Sequence, residues 1–193
     1  SKPINFMINN FDIIRQFLQQ RDDSYFHVQL MLRRKDGHDV NGCKVIRHVF
    51  VKSLSEFDEN IPEWNDVCER ENARCYINPS AKLFKGAAMI MLKELVNKIA
   101  EESYVGLDAL YKSCAAKNPQ IDKIWIIDYD FDCGLDLDDV RKKINKALPV
   151  GDKILLEVPT VNGTHLLTTP FDMRCGLPSE MVKKNAQTLL YAK

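Results

Sequence analysis

Apolar positions change their period several times along this chain, and each change marks an element. Phe6, Ile13, Ile14, Phe17 and Leu18 recur at helical intervals before the polar run Gln19 to Asp23, which predicts a first helix over Phe6–Leu18. Tyr25–Leu32 and Cys43–Val51 alternate at period two. Between them lies Lys35-Asp36-Gly37-His38-Asp39-Val40-Asn41-Gly42, whose Asp-Gly and Asn-Gly pairs suit tight turns, so a β-hairpin with an exposed, mobile tip is expected. Ser53–Glu71 is polar and reads as helical pieces, with Pro62 in the first turn of a short helix. Arg74 to Ser80 reads as a short strand ending at Pro79, and Ser80 is placed to cap the longest helix. In that helix Phe84, Ala88, Met91, Leu92, Leu95 and Ile99 form an apolar stripe expected to pack on a sheet.

The second half is more regular. A helix over about Leu107–Ala116 precedes a strand, Ile124–Asp128. An acidic loop then leads to an amphipathic helix lined by Leu137, Val140, Ile144 and Leu148, with Asp136 at its start. Lys153–Val158 and Thr164–Thr168 read as strands around the turn pair Asn162-Gly163; a short helix over Ser179–Asn185 and an edge strand over Thr188–Tyr191 follow. From Ile124 the order is strand, helix, strand, strand, helix, strand, the connectivity of a ferredoxin-like, split βαββαβ unit. The expected fold is therefore α+β. One domain over 1–193 is expected, with an N-terminal helix, hairpin and polar helical segment (1–72) ahead of a mixed α/β core (73–193); 193 residues suit one sizeable core better than two ordinary domains.

Composition narrows the function only slightly. Lys plus Arg and Asp plus Glu both number 27, so any nucleic-acid contact would have to come from a local patch and not from a global field. No apolar run approaches the roughly 18 residues of a membrane span and no secretory leader is visible, so a cytoplasmic protein with no membrane partner is expected. Six scattered cysteines form no C-x-x-C pair and read as reduced, mostly buried thiols.

The distinctive chemistry is at Ile124-Trp125-Ile126-Ile127-Asp128-Tyr129-Asp130-Phe131-Asp132, where an apolar strand ends in acids spaced two apart. Residues i and i+2 share a face of a strand, so Asp128 and Asp130 would stand side by side, an arrangement suited to a hard cation such as Mg2+ or Mn2+. The competing reading is an acidic loop that caps the next helix. Asp128, Asp130, Asp132 and Asp139 also fit calcium-loop spacing, but Cys133 stands where that loop needs glycine and a strand, not a helix, comes before it. His165, just after Asn162-Gly163, could donate to a phosphate oxygen or serve as an ordinary hairpin histidine. Asp172 is either a third carboxylate or the start of an Asx turn. Arg74, Lys82 and Lys85 cluster around the start of the long helix, where cations and a helix N-terminus can take phosphate; a solvated basic face is the alternative. Arg33-Arg34-Lys35 and Arg141-Lys142-Lys143 read as surface charge, although either could touch a nucleic-acid backbone. His27, His48 and His38 fall in the first hairpin with no partner evident.

Ile126-Ile127-Asp128-Tyr129-Asp130, then Gly163-Thr164-His165, then Asp172 resemble the hhDhD, small-x-His and third-acid motifs of the archaeo-eukaryotic primase superfamily, the primase-polymerases. The resemblance spans roughly residues 122–172. It implies a nucleotidyltransferase palm in which Asp128 and Asp130 bind the divalent cations, His165 contacts the phosphates of an incoming nucleotide and Asp172 is the third acid. Asp172 follows His165 more closely than the third motif usually does, and the family's zinc-binding and helical accessory parts have no counterpart here. The segment Pro159–Asp172 and the terminal Leu189-Leu190-Tyr191 also resemble small phage proteins, which would place the chain in a host cytoplasm.

The leading expectation is a metal-dependent protein that binds a nucleoside triphosphate or single-stranded nucleic acid, a minimal primase-polymerase. Two alternatives stay open: a phosphodiesterase or nuclease that uses the same carboxylates on water, and a non-enzymatic phage-type binding or counter-defence protein acting on a host protein through the hairpin tip.

Overall fold

The computed structural model describes residues 7–193. Among these residues ten strands form two antiparallel sheets that pack with five α-helices in an α+β fold. In chain order these are β1 (Ile8–Asn9), α1 (Phe11–Phe17), β2 (Ser24–Arg33), β3 (Cys43–Val51), α2 (Leu54–Glu71), β4 (Arg74–Ile77), β5 (Lys82–Leu83), α3 (Phe84–Ala100), α4 (Leu110–Lys117), β6 (Trp125–Asp130), α5 (Leu137–Lys146), β7 (Ile154–Pro159), β8 (Gly163–Thr168), β9 (Val182–Lys184) and β10 (Thr188–Ala192). The first sheet has the order β1-β10-β4-β2-β3, with β5 also pairing β2; the second has the order β7-β8-β6-β9. Among the described residues no helix is long and apolar enough to cross a membrane.

The period-two pattern explains how the sheets stack. Along β6, Ile126 joins the main core with Val28, Leu30, Cys75, Ile77 and Leu190 of the first sheet, while Ile127 and Tyr129 join a second core with Val140 and Ile144 of α5. One face of the second sheet thus meets the first sheet and the other carries α5. Helices α1 and α2 close the main core with Phe11, Ile14, Phe57, Trp64 and Val67. Asp136 caps α5 as the sequence suggests, its side chain accepting from the Asp138 and Asp139 N–H groups. At the other end Lys153, 4% exposed, donates to the Ala147 and Pro149 carbonyls just past the helix, so a buried cation serves its last turn.

Several expectations are corrected. Ile8–Asn9 is a strand on β10, so the first helix begins only at Phe11; Asn10, buried, donates to the Pro159 and Leu189 carbonyls and separates the two elements. Phe6, the predicted start, lies outside the described residues. Ser53–Glu71 forms not pieces but one helix, Leu54–Glu71, of 18 residues with Ser53 as its cap: the Ser53 hydroxyl accepts from Glu56 N–H while Glu56 reaches back to Lys52 N–H, and Pro62 sits on the exposed side. Ser80 is not a helix cap. It is buried in a turn with Asn78, and α3 begins four residues after it, at Phe84.

α3 packs on a sheet only at its first turn, where Phe84 and Ala87 cluster with Tyr25 of β2 and Phe50 of β3. Beyond that it lies against α4, and Met89, Leu92, Val96 and Ile99 are each more than half exposed. The hairpin tip is anchored: Arg74 grips Asp36 with two bonds of 2.6 and 2.8 Å, Asn72 donates to Asp36 O, and His38 lies 2.8 Å from Asn72 O. Finally, the expected helix over Ser179–Asn185 is a single 3-10 turn followed by β9, and β10 is interior to its sheet, between β1 and β4, instead of at its edge.

Candidate functional site

Asp128 and Asp130 share the face of β6 that carries Ile126, so both turn toward the first sheet and out of the core. The antiparallel register sets Asp128 opposite His165 and Asp130 opposite Gly163. Asp128, Asp130 and His165 line a groove of about 1240 Å³ between the two sheets. The residue opposite Asp130 has to be small: a Cβ at Gly163 would lie 1.8 Å from the Tyr129 carbonyl oxygen and 2.9 Å from the Asp130 Cα. Lack of space on the strand therefore accounts for glycine at this point of the small-x-His segment.

His165 bridges the sheets. Its Nδ1 lies 2.9 Å from the Thr188 hydroxyl on β10 of the first sheet, and its Nε2 lies 3.4 Å from Asp128 Oδ1. An N–H on Nε2 would face the carboxylate, and in that tautomer Nδ1 accepts from the Thr188 hydroxyl. The imidazole is 12% exposed and the carboxylate 40%, so the pair is sheltered at its histidine and open at its acid. Contact with His165, helped by the fields of Lys183 and Arg33, holds the Asp128 carboxyl below its ordinary 3.8 despite partial burial. Asp130 is exposed and its carboxylate has no hydrogen bond or ion pair with another described residue. Asp132 is the third acid lining the groove.

The opposite wall is cationic. Arg33, Arg34 and Lys35 at the end of β2 line the groove, and Lys183, which pairs with Ile126 across β6 and β9, stands on the same face as the acids. Arg33 is steadied by donating to the Tyr76 hydroxyl at 3.1 Å. Of these, only Arg33-Arg34-Lys35 is visible as a cluster in the sequence. A run of three cations is easy to dismiss as solvated charge, and Lys183 is noticed only once β9 is known to be a strand.

The other predicted residues are placed differently. Arg74 reaches the groove but is committed to Asp36 in a pair only 12% and 16% exposed. Lys82 is fully buried, donates to the Ala116 carbonyl and is pulled down to about 8 by desolvation, so it is not presented to a phosphate in solution. Lys85 is on the exposed side of α3 and does not line the groove. Asp172 sits beyond the Thr168 end of β8, which pairs with the start of β6, whereas Asp130 ends that strand; it accepts from the Arg174 N–H and guanidinium, which hold it down to about 2. That is the Asx-type reading, and it keeps Asp172 away from Asp128 and Asp130.

Histidines that had no partner in the sequence acquire them. His27 Nε2 lies 2.9 Å from His48 Nδ1, with the rings stacked, and burial beside His48 and Lys82 pushes His27 down to about 3. Asp139 belongs to the first turn of α5, and a strand leads into the acidic loop, so the calcium-loop arrangement does not form.

Among the described residues no group of three or more His, Cys, Asp and Glu side chains is gathered closely enough to hold a metal by itself. Two carboxylates on one strand face, one unengaged and one half open, are nevertheless a fitting donor set for Mg2+ or Mn2+, which keep several waters and take the rest of their oxygens from a bound phosphate. No protein-family model, curated protein or solved structure matches this chain.

Proposed function

We propose that this protein is a divalent-metal-dependent nucleotide-binding protein with a primase-polymerase-like palm. The observation that carries the reading is the pairing of Asp128 with His165 across β6 and β8, at the floor of a groove whose facing wall is cationic. The palm assignment is supported by the second sheet, whose order β7-β8-β6-β9, with every neighbour antiparallel, is the arrangement of a split βαββαβ unit. Its second helix is replaced by 3-10 turns.

In this reading Asp128 and Asp130 hold Mg2+ or Mn2+, and the metal, when bound, neutralises and orients the triphosphate. His165 donates from Nε2 to a phosphate oxygen, exchanging its contact with Asp128 as that carboxylate turns to the cation. Arg33, Arg34 and Lys183 receive the remaining phosphate charge. The substrate class is a nucleoside triphosphate. If the groove also admits a primer, attack of its 3′-hydroxyl on the α-phosphorus forms the new phosphodiester, pyrophosphate leaves and the hydroxyl proton is lost to solvent. Asp132 is the third acid of this arrangement, in place of Asp172.

A thermal-shift panel tests it. Mn2+ or Mg2+ together with a nucleoside triphosphate should raise the melting temperature more than the separate effects combined, since ligands that bind only the folded state stabilise it by mass action. Asp128→Asn should abolish that excess. Equal, additive shifts in both proteins would remove the proposal, and labelled single-stranded DNA then reports activity: lengthening indicates synthesis and shortening indicates hydrolysis.

A further inference from the structure

Met89, Leu92, Val96 and Ile99 of α3 are between 55% and 58% exposed. They follow one line along the helix, half a turn from the side that buries Ala87 and from which Glu94 reaches Lys117 of α4 at 3.0 Å. The line leaves roughly 400 Å² of apolar surface bare among the described residues, as much as the largest patch on an ordinary monomer. Its spacing, three then four then three, is that of a coiled-coil seam and reads the same from either end. The charges at its two ends are opposite. Lys85 continues the line at the N-terminal end, and the exposed Glu101 and Glu102 follow the helix at the C-terminal end; none of the three is ion-paired with another described residue. Lys85 also stands in a first turn that contains no acid, where a cation opposes the helix dipole.

We infer that this face is a self-association surface whose occupant is α3 of a second copy of the chain, packed antiparallel about a two-fold axis at the level of Glu94. Met89 then meets Ile99 of the other copy and Leu92 meets Val96, each contact made twice, as an isologous interface requires. Lys85 of each copy comes to the negative end of the other α3, beside Glu101 and Glu102. A parallel pair would instead bring like charges together at both ends. Lys93, exposed beside the midpoint, covers apolar surface with its stem and keeps its ammonium in water. Two such lines bury roughly 800 Å² together, below the roughly 1,200–2,000 Å² of a stable complex, so the dimer is weak, with a dissociation constant on the order of 10–100 µM. None of these residues lines the groove, and the association stands apart from the nucleotide reading.

Sedimentation equilibrium tests this. Between about 5 and 500 µM the wild type should pass from monomer to dimer by mass action. Leu92→Lys and Val96→Lys should each raise the dissociation constant by about tenfold or more, with the melting temperature of dilute protein unchanged because the line packs on nothing inside the monomer. Lys85→Glu suits its own helix end better, yet should weaken the dimer, and so should Glu101→Lys combined with Glu102→Lys. All three changes in one chain restore opposite charges across the interface and should recover wild-type association. A wild type still monomeric at about 500 µM overturns the inference. So do Leu92→Lys and Val96→Lys proteins that dimerise undiminished, and a triple variant no stronger than Lys85→Glu alone overturns the antiparallel packing.

Discussion

Replacing Gly163 by alanine should be among the most damaging single-methyl additions in this fold. The added Cβ would start 1.8 Å from the Tyr129 carbonyl oxygen, and such contacts essentially never fall below 3.0 Å, so β8 has to retreat from β6 by about 1.2 Å. Backbone, not a flexible side-chain end, is what stands in the way. That retreat carries the Phe131–Asn162 hydrogen bond, now 2.9 Å, past bonding distance and strains Thr160–Gly163 at 3.0 Å. Overpacking of this kind costs about 1–3 kcal/mol, and each lost hydrogen bond adds about 0.5–1.5 kcal/mol, giving roughly 2–5 kcal/mol in all. Urea unfolding followed by circular dichroism should show it: with an m-value of about 2 kcal/mol/M, the midpoint falls by roughly 1–2.5 M. A midpoint shift corresponding to less than about 1 kcal/mol would refute the claim that space at this one point of the sheet dictates glycine.

Three further outcomes are expected. The buried His27 is held neutral, with its folded value down at about 3 against an ordinary 6.5, so below pH 6.5 the unfolded chain takes up a proton that the folded one refuses. Stability should be fully present above pH 6.5 and decline toward pH 3 by up to about 1.4 kcal/mol per unit, and a His27→Gln protein with an equally steep decline between pH 6.5 and 5 would contradict this. Arg74→Ala leaves Asp36 half-buried without its partner, which should cost about 2 kcal/mol and speed hydrogen exchange across Arg34 to Gly42; unchanged exchange there would mean the tip is held by something else. Leu92→Lys and Val96→Lys on the open face of α3 should each change stability by less than about 0.5 kcal/mol, and a loss of 2 kcal/mol or more in calorimetry would show that the stripe is packed after all.

Elements whose signal is local were legible in the sequence. The β2–β3 hairpin, the Asp136 cap of α5 and the β7–β8 pair follow from alternation and turn chemistry within a few residues, and so does the shared face of Asp128 and Asp130. What depends on distant partners was not legible. The α3 stripe has a helical period but no record of what lies opposite it. Val182–Lys184 is too short to announce itself and is a strand only because β6 offers it an edge; with it goes Lys183, a cation of the groove. Lys82 reads as a helix-start cation in sequence, yet the β5 pairing with β2 brings it inside. Ser53 with Glu56 did carry a local capping signal, which the interruption at Pro62 obscured.

The two halves of the candidate site reside on strands that come from separate stretches of the chain, and only their mutual alignment makes them neighbours. Were β8 to slide by a single residue along β6, His165 would pair with a residue of the α5 side, and the imidazole and the Asp128 carboxylate would be lost to each other on opposite surfaces. Misassembled copies of this protein would consequently lack the carboxylate–imidazole pair, which exists only in chains that have zipped up correctly.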